Sequence, residues 1–311
     1  MISVIMSTYN EPLEYIDAAV DSILNQTYRD IEYIIIVDNP DRKELVNFIR
    51  QKKVKDSRIK MVVNEMNIGL TASLNKGLAI ASGKYIARMD ADDISKSDRF
   101  EAQLALMERG NLDLVGCNVK DIDGNGDIVR KSTNLPTVDR AIKKYLKIDS
   151  AVLHPTWLAR REIFENNLYI DFPACEDYEL LTRLALQGRK FGNVSDPKLY
   201  YRLNNSGISS TKRVQQKVSK YFIANNYRRG RFSDLTSLRD YVNSVTGKKK
   251  HRALSRYYDA LPTIKDNLKK HRIKGLIQIV GLLTVSFEAK EILFNKLKKK
   301  IIVNIMQDKE S

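Results

Sequence analysis

Three carboxylates fall within four residues at Asp90-Ala91-Asp92-Asp93, directly after the apolar run Tyr85–Met89. Like charges this close repel unless a cation relieves them, and hard divalent ions such as magnesium and manganese take oxygen ligands that they share with phosphates. Taken alone, the motif also reads as a solvated acidic turn or a helix cap. A second carboxylate, Asp38, ends the run Ile34-Ile35-Ile36-Val37. There it can accept hydrogen bonds from a base or ribose, or simply cap the next helix. A third group, Glu176-Asp177, opens an amphipathic stretch that runs to Ala185. Acids at a helix start suit the macrodipole in any protein, so this pair gains chemical meaning only in company. The company matters because transfer of an activated group to a hydroxyl needs a general base and a Lewis acid at the leaving diphosphate.

The elements that must position these groups alternate between short apolar runs and helical patterns, the mark of a mostly parallel sheet flanked by helices. Strands are predicted at Ile2–Ser7, Ile31–Val37, Ile59–Val63, Tyr85–Met89 and Leu112–Cys117. Helices are predicted over Leu13–Leu24, Asp41–Lys52, Leu70–Ala81 and Ser97–Glu108, with Gly83 and Gly110 as stops. Ligands of such sheets sit beyond the carboxyl ends of the strands, where Thr8-Tyr9-Asn10-Glu11, Asp38-Asn39-Pro40 and the Asp90–Asp93 group all fall. Asp121 to Asp127 reads as a hairpin turn around Gly124-Asn125-Gly126. It lacks the terminal glutamate of a calcium loop. Residues 151–210 continue the same domain less regularly.

Composition narrows the setting. The net charge of +15 divides unevenly: residues 1–211 hold 29 Lys+Arg against 30 Asp+Glu, and residues 212–311 hold 24 against 8. The chain therefore reads as a catalytic domain over 1–211 and a basic helical region over 212–311, whose partner is an anionic surface, nucleic acid or lipid. Gly275–Phe287 is thirteen residues without a charge, short of the ~20 that cross a bilayer. With Lys269, Lys270, Arg272 and Lys274 before it and Lys296, Lys298, Lys299 and Lys300 after it, the segment reads as docking on an anionic membrane, or as a core helix. Cys117 and Cys175 match no metal spacing or disulfide framework, and the amino terminus reads as a buried strand rather than a signal peptide. A cytoplasmic protein on the inner face of the plasma membrane is the resulting expectation.

The order Ser3-Val4-Ile5-Met6-Ser7-Thr8-Tyr9-Asn10, Asp21-Ser22-Ile23-Leu24-Asn25-Gln26-Thr27-Tyr28, Asn67-Ile68-Gly69-Leu70, Ala81 through Asp93, and Glu176-Asp177 resembles the family 2 glycosyltransferases over about residues 1–210. The resemblance is to the bacterial enzymes that build surface polysaccharides such as O-antigen and capsule. It implies a GT-A fold, a nucleoside-diphosphate-sugar donor with UDP favoured, a manganese or magnesium ion, and inversion of the anomeric centre. Carried over by position, Thr8, Tyr9, Glu11, Asp38, Asp90 and Asp92 bind the donor nucleotide, Asp92 and Asp93 hold the metal, and Asp177 is the general base. His154 and Glu176 face the acceptor, a glycan or lipid-linked oligosaccharide. Two positions depart from the pattern. Val37-Asp38-Asn39-Pro40 stands where many relatives have Asp-Asp-Gly-Ser, and Asn204 stands where many have a histidine.

A nucleotidyltransferase is the nearest alternative, but Ser7-Thr8-Tyr9-Asn10-Glu11 offers neither the glycines nor the positive charge of a phosphate loop, and a dehydrogenase fails at the same turn. A non-catalytic nucleic-acid binder driven by the basic tail is the alternative from another class. No nucleic-acid partner is expected, because the tyrosines of the tail fit helical packing.

Overall fold

A computed structural model describes residues 1–129, 132–203, 212–270 and Ile302. Its sheet has the order β3-β2-β1-β4-β7-β6-β8-β5. Strands β1 (Ile2–Thr8), β2 (Ile31–Val37), β3 (Ile59–Val63) and β4 (Tyr85–Asp90) are mutually parallel, with α1 (Leu13–Leu24), α2 (Lys43–Lys55) and α3 (Leu70–Ile80) as crossovers. Strand β2 is buried along its whole length, as a central parallel strand covered on both faces must be. Alternation divides its residues between two cores. Ile34 and Ile36 pack with Ile5, Leu74 and Ile86 on one face, while Tyr33, Ile35 and Val37 pack with Val4, Met6, Ile16 and Ile23 on the other.

The second half of the sheet is mixed. Strand β7 (Leu158–Arg160) runs antiparallel between β4 and β6 (Leu114–Ile122), and β8 (Phe191–Arg202) pairs parallel to β6 and antiparallel to the two-residue β5 (Ile94–Ser95). The predicted Leu112–Cys117 strand thus begins two residues later and runs five further, because Asn118, Lys120 and Asp121 break the apolar run yet still pair with β8. Pro197 is tolerated in β8 because it sits where the β6–β8 register shifts.

Helix α2 lies at Lys43–Lys55 and α4 at Arg99–Gly110, each displaced by two or three residues from the Asp41–Lys52 and Ser97–Glu108 expectations. Neither proposed glycine stop acts by a left-handed turn of its own. Asn111, after Gly110, takes that conformation at φ 44. Gly83 instead lies so close to β1 that a Cβ there would sit 2.7 Å from Ser3 N. The Asp121–Asp127 segment does turn back, with Ile122 bridging Ile128 and Gly126 at φ 91.

Helices α5 (Asp139–Tyr145) and α6 (Glu176–Leu186) precede α7 (Arg213–Arg228), α8 (Leu235–Asn243) and α9 (Val245–Lys270). The composition break at residue 212 is not a packing break. Phe222, Ile223 and Ala224 of α7 join the core that holds Phe172, Cys175 and Tyr178, and Phe172 stacks on Phe222 at 6.5 Å. Gly275–Phe287, the lysines from Lys296 to Lys300 and Asn204 lie outside the described residues.

Candidate functional site

Register brings the chemistry to one edge. Ser7 pairs with both Ile36 and Asp90, and Thr8 pairs with Val37, so the turns after β1, β2 and β4 emerge side by side. In the first, Glu11 Oε2 accepts from Thr8 Oγ1 and from the Tyr9 backbone N, both at 2.8 Å, which curls Thr8-Tyr9-Asn10-Glu11 into a cup. The Tyr9 ring stays 42% exposed at its rim. Arg42 donates to the Glu11 carbonyl at 2.7 Å and closes the cup from α2.

Asp38 is buried, and its carboxylate accepts from Ile68 N and Gly69 N at 2.9 Å and from Asn64 Nδ2 at 2.7 Å. These bonds fix the loop that enters α3, where Gly69 holds φ 84. The Asp38 carboxylate thus ties the end of β2 to Asn64 and to the loop before α3. The neighbouring Asn39 is the side chain that reaches the cup, donating to Asn10 Oδ1 at 2.9 Å.

Asp90, Asp92 and Asp93 place carboxylate oxygens within 4.8 Å of one another. Asp93 Oδ1 accepts from Arg202 N at 2.8 Å, while its buried Oδ2 has no partner. Burial, then the charges of Asp90 and Glu11, push the Asp92 carboxyl up to about 7. Burial, then Asp90 and Asp92, drive Asp93 well above the usual carboxylate range. Three carboxylates this close, one with an orphaned buried oxygen, fit a divalent cation, whose charge would allow Asp92 and Asp93 to ionise. Arg202 braces the turn: Nε donates to the Asp92 carbonyl at 2.8 Å, and its guanidinium lies 4.0 Å from the Tyr15 ring centroid.

Arg88 is a functional candidate that the motif reading passed over. Two residues before Asp90 on the same face of β4, it is buried, pairs with Asp90 and leaves Nε without a partner. A charged residue inside an otherwise apolar buried strand is a signal that the sequence does carry.

On that same face, α6 begins after Ala174, which adopts φ 55, and presents Glu176 and Asp177 in its first turn. Both are half-buried. Burial and then Asp177 push the Glu176 carboxyl up to about 7, with Arg88 pulling it down and Asp90 pushing it further up. Asp177 is raised by burial against the attraction of Lys220 on α7. Lys220 itself pairs with Asp149 at 2.8 Å. Neither Asp149 nor Lys220 stood out in the sequence.

His154 does not line an open surface. It is buried, its Nε2 is 2.8 Å from Tyr169 Oη, and its ring meets Trp157 edge-on at 4.8 Å. Burial first, and then the charge of Arg88, hold it well below the usual histidine range and therefore neutral. His154 is one ring of an aromatic brace with Trp157 and Tyr169. Its location still matters, because Trp157 O accepts from Arg88 N at 2.9 Å and so sets the end of β4.

The family model described as "Glycosyl transferase family 2" matches residues 3–168. The chain is 35% identical over 224 residues to the uncharacterized glycosyltransferase MJ1057 of Methanocaldococcus jannaschii, covering 71% of this chain and 77% of that protein. It is 31% identical to the O-antigen biosynthesis glycosyltransferase WbnJ of Escherichia coli, covering 71% and 87%. It is 29% identical to the Escherichia coli UDP-Glc:alpha-D-GlcNAc-diphosphoundecaprenol beta-1,3-glucosyltransferase WfgD, covering 81% and 95%. Among solved structures, the mannosyltransferase PcManGT of Pyrobaculum calidifontis, in complex with GDP-Man and Mn2+, superposes with a TM-score of 0.58 at 16% identity, covering 98% of this chain and 86% of that one.

Proposed function

This chain belongs to glycosyl transferase family 2 and has the GT-A fold, and from that premise we propose that it transfers a sugar from a UDP-sugar, with inversion, to a hydroxyl of a glycan or lipid-linked acceptor. The observation that carries this reading is the convergence of Asp90, Asp92 and Asp93, with an orphaned Asp93 oxygen, at the strand edge faced by Glu176 and Asp177. WbnJ and WfgD support a place in surface polysaccharide assembly, and the WfgD name supports a UDP-sugar and a diphospholipid acceptor.

In this reading the base and ribose lie in the cup of Thr8, Tyr9 and Glu11, with Asp38 and the Asn39 amide at its far side. Asp92 and Asp93, with Asp90 beside them, would hold manganese or magnesium, which when bound supplies the charge that stabilises the departing diphosphate. Asp177 takes the acceptor proton as the acceptor oxygen bonds to C1 and the C1–phosphate bond breaks, its electron pair leaving with the nucleoside diphosphate. Asp177 is better suited to this than Glu176 because Lys220 favours its ionised form. Arg88 balances Asp90 and Glu176, keeping the two acidic groups compatible on one face.

Residues 1–211 would form the catalytic unit, and residues 212–311 a basic region that holds the enzyme on the inner face of an anionic membrane. No helix among the described residues is long and apolar enough to cross a membrane. Exposed Arg228, Arg229, Arg231 and Phe232 at the α7–α8 turn offer the mixture of positive charge and apolar surface that a lipid headgroup region binds. A panel of nucleotide-sugars screened for manganese-dependent turnover and thermal stabilisation tests the donor assignment. Stabilisation by UDP-sugars in manganese but not in chelator supports it, and indifference to the whole panel removes it.

A further inference from the structure

We propose that Lys220, held by Asp149, is a positioning residue for Asp177, so that the first helix of the basic region completes the catalytic base. The inference rests on the reading of Asp177 as that base. Helix α7 lies across the two segments that set Asp177. Cys175, at the start of α6, donates from Sγ to Gln216 O at 3.4 Å, and Arg228 Nε donates to Lys147 O at 2.7 Å. Between these anchors Lys220 Nζ is 2.8 Å from Asp149 Oδ1, with the two side chains only 21% and 15% exposed. An ion pair this sheltered costs desolvation that its mutual attraction seldom repays, so its presence calls for a reason other than stability.

The surroundings of Asp177 supply one. The charged and titratable groups that act on this site are Glu176 and Cys175 beside Asp177 in sequence, Tyr169 from the preceding segment, Asp149 from the loop after α5 and Lys220 from α7, with Arg88 and Asp90 of β4 acting on Glu176. Burial works against the Lys220 ammonium, yet Asp149 and Asp177 hold it above the usual lysine range, so it stays charged. Without it, Asp149, Glu176 and Asp177 would confront one another with little compensation, and a protonated Asp177 accepts nothing. Asp149 in turn orients Lys220 and tempers its charge, which gives the two residues opposite effects on the base.

The test is the pH dependence of kcat/KM in the full chain, with manganese and the donor that turns over, for Lys220→Met, Lys220→Arg and Asp149→Asn. The acid limb moves up by about one pH unit or more in Lys220→Met. It moves down in Asp149→Asn, which leaves Lys220 to Asp177 alone, and Lys220→Arg restores it near the wild-type position. A purely structural role lowers all rates and moves no limb. Should Lys220→Met fail to fold, the downward shift in Asp149→Asn carries the test. Carbon NMR titration of the Asp177 carboxyl, assigned by its loss in Asp177→Asn, separates the two ways to fail. A carboxyl titration unmoved by Lys220→Met or Asp149→Asn overturns the role of Lys220. One that moves while the rate limb stays in place overturns Asp177 as the base.

Discussion

The backbone N–H of Arg202 lies 2.8 Å from Asp93 Oδ1, a bond that spans 109 residues of chain and ties the end of the last strand to the acidic turn after β4. It spends one oxygen of Asp93 on architecture and leaves the other buried without a partner. Division of one carboxylate between fold and site explains how Asp93 keeps its place although burial and two like charges oppose its ionisation.

Replacing Asp92 with Asn is expected to lower transfer by at least about a hundredfold, since the divalent ion contributes several kcal/mol of charge stabilisation. In chelator the same variant should melt higher than the wild type, because one of three mutually repelling carboxyls is gone. Wild-type turnover by Asp92→Asn in chelator would exclude a metal at this turn.

Asp177→Asn is expected to keep donor binding and lose about a hundredfold to ten-thousandfold in kcat, the range that general bases contribute. Calorimetry with UDP and manganese, set beside the rate, reads both halves. Loss of nucleotide binding together with activity would move Asp177 to the donor side.

The Glu176 carboxyl, raised to about 7, fixes the sign of a stability change. A carboxyl raised above its unfolded value adds stability that is fully present below the ordinary glutamate range and is lost as pH rises through 7. Melting temperature in chelator should therefore fall between about pH 5 and pH 8, and Glu176→Gln should flatten part of that fall. The same slope in Glu176→Gln as in wild type would place the titration on the aspartates of the metal turn.

Tyr169→Phe strips His154 Nε2 of its partner inside the aromatic cluster. A buried polar atom left unpaired costs about 1–3 kcal/mol. Denaturant unfolding should show that loss while the donor KM stays within about twofold, as expected for a contact that sets no part of the nucleotide cup. A rise in acceptor KM of about tenfold or more, with donor KM unchanged, would place His154 at the acceptor.

How far these elements were legible follows from which residues carry each signal. The parallel half of the sheet was legible because Ile34–Val37 of β2 is a continuous apolar run and the acidic residues Asp38 and Asp90 stand directly at the ends of β2 and β4. Strand β8 was not, since Asp196, Pro197 and Lys198 interrupt its pattern at a register shift that only the pairing with β6 explains. Asp38 and His154 were visible as residues, but their burial and their partners were not, because no spacing rule records either. Arg88 was readable in principle as a charge within a buried strand. Lys220 was not, because one lysine in a basic stretch gives no sign of which buried acid it will meet.

Anomeric configuration during turnover separates metal-dependent inversion by Asp177 from any retaining route. Proton NMR should follow the wild-type enzyme with an α-linked UDP-sugar and manganese, with water or an added glycan as acceptor. The α signal of the donor should be consumed and a β product appear first, before any mutarotation, with no reaction in chelator. An α product appearing first, or turnover that continues unchanged in chelator, would contradict metal-dependent inversion.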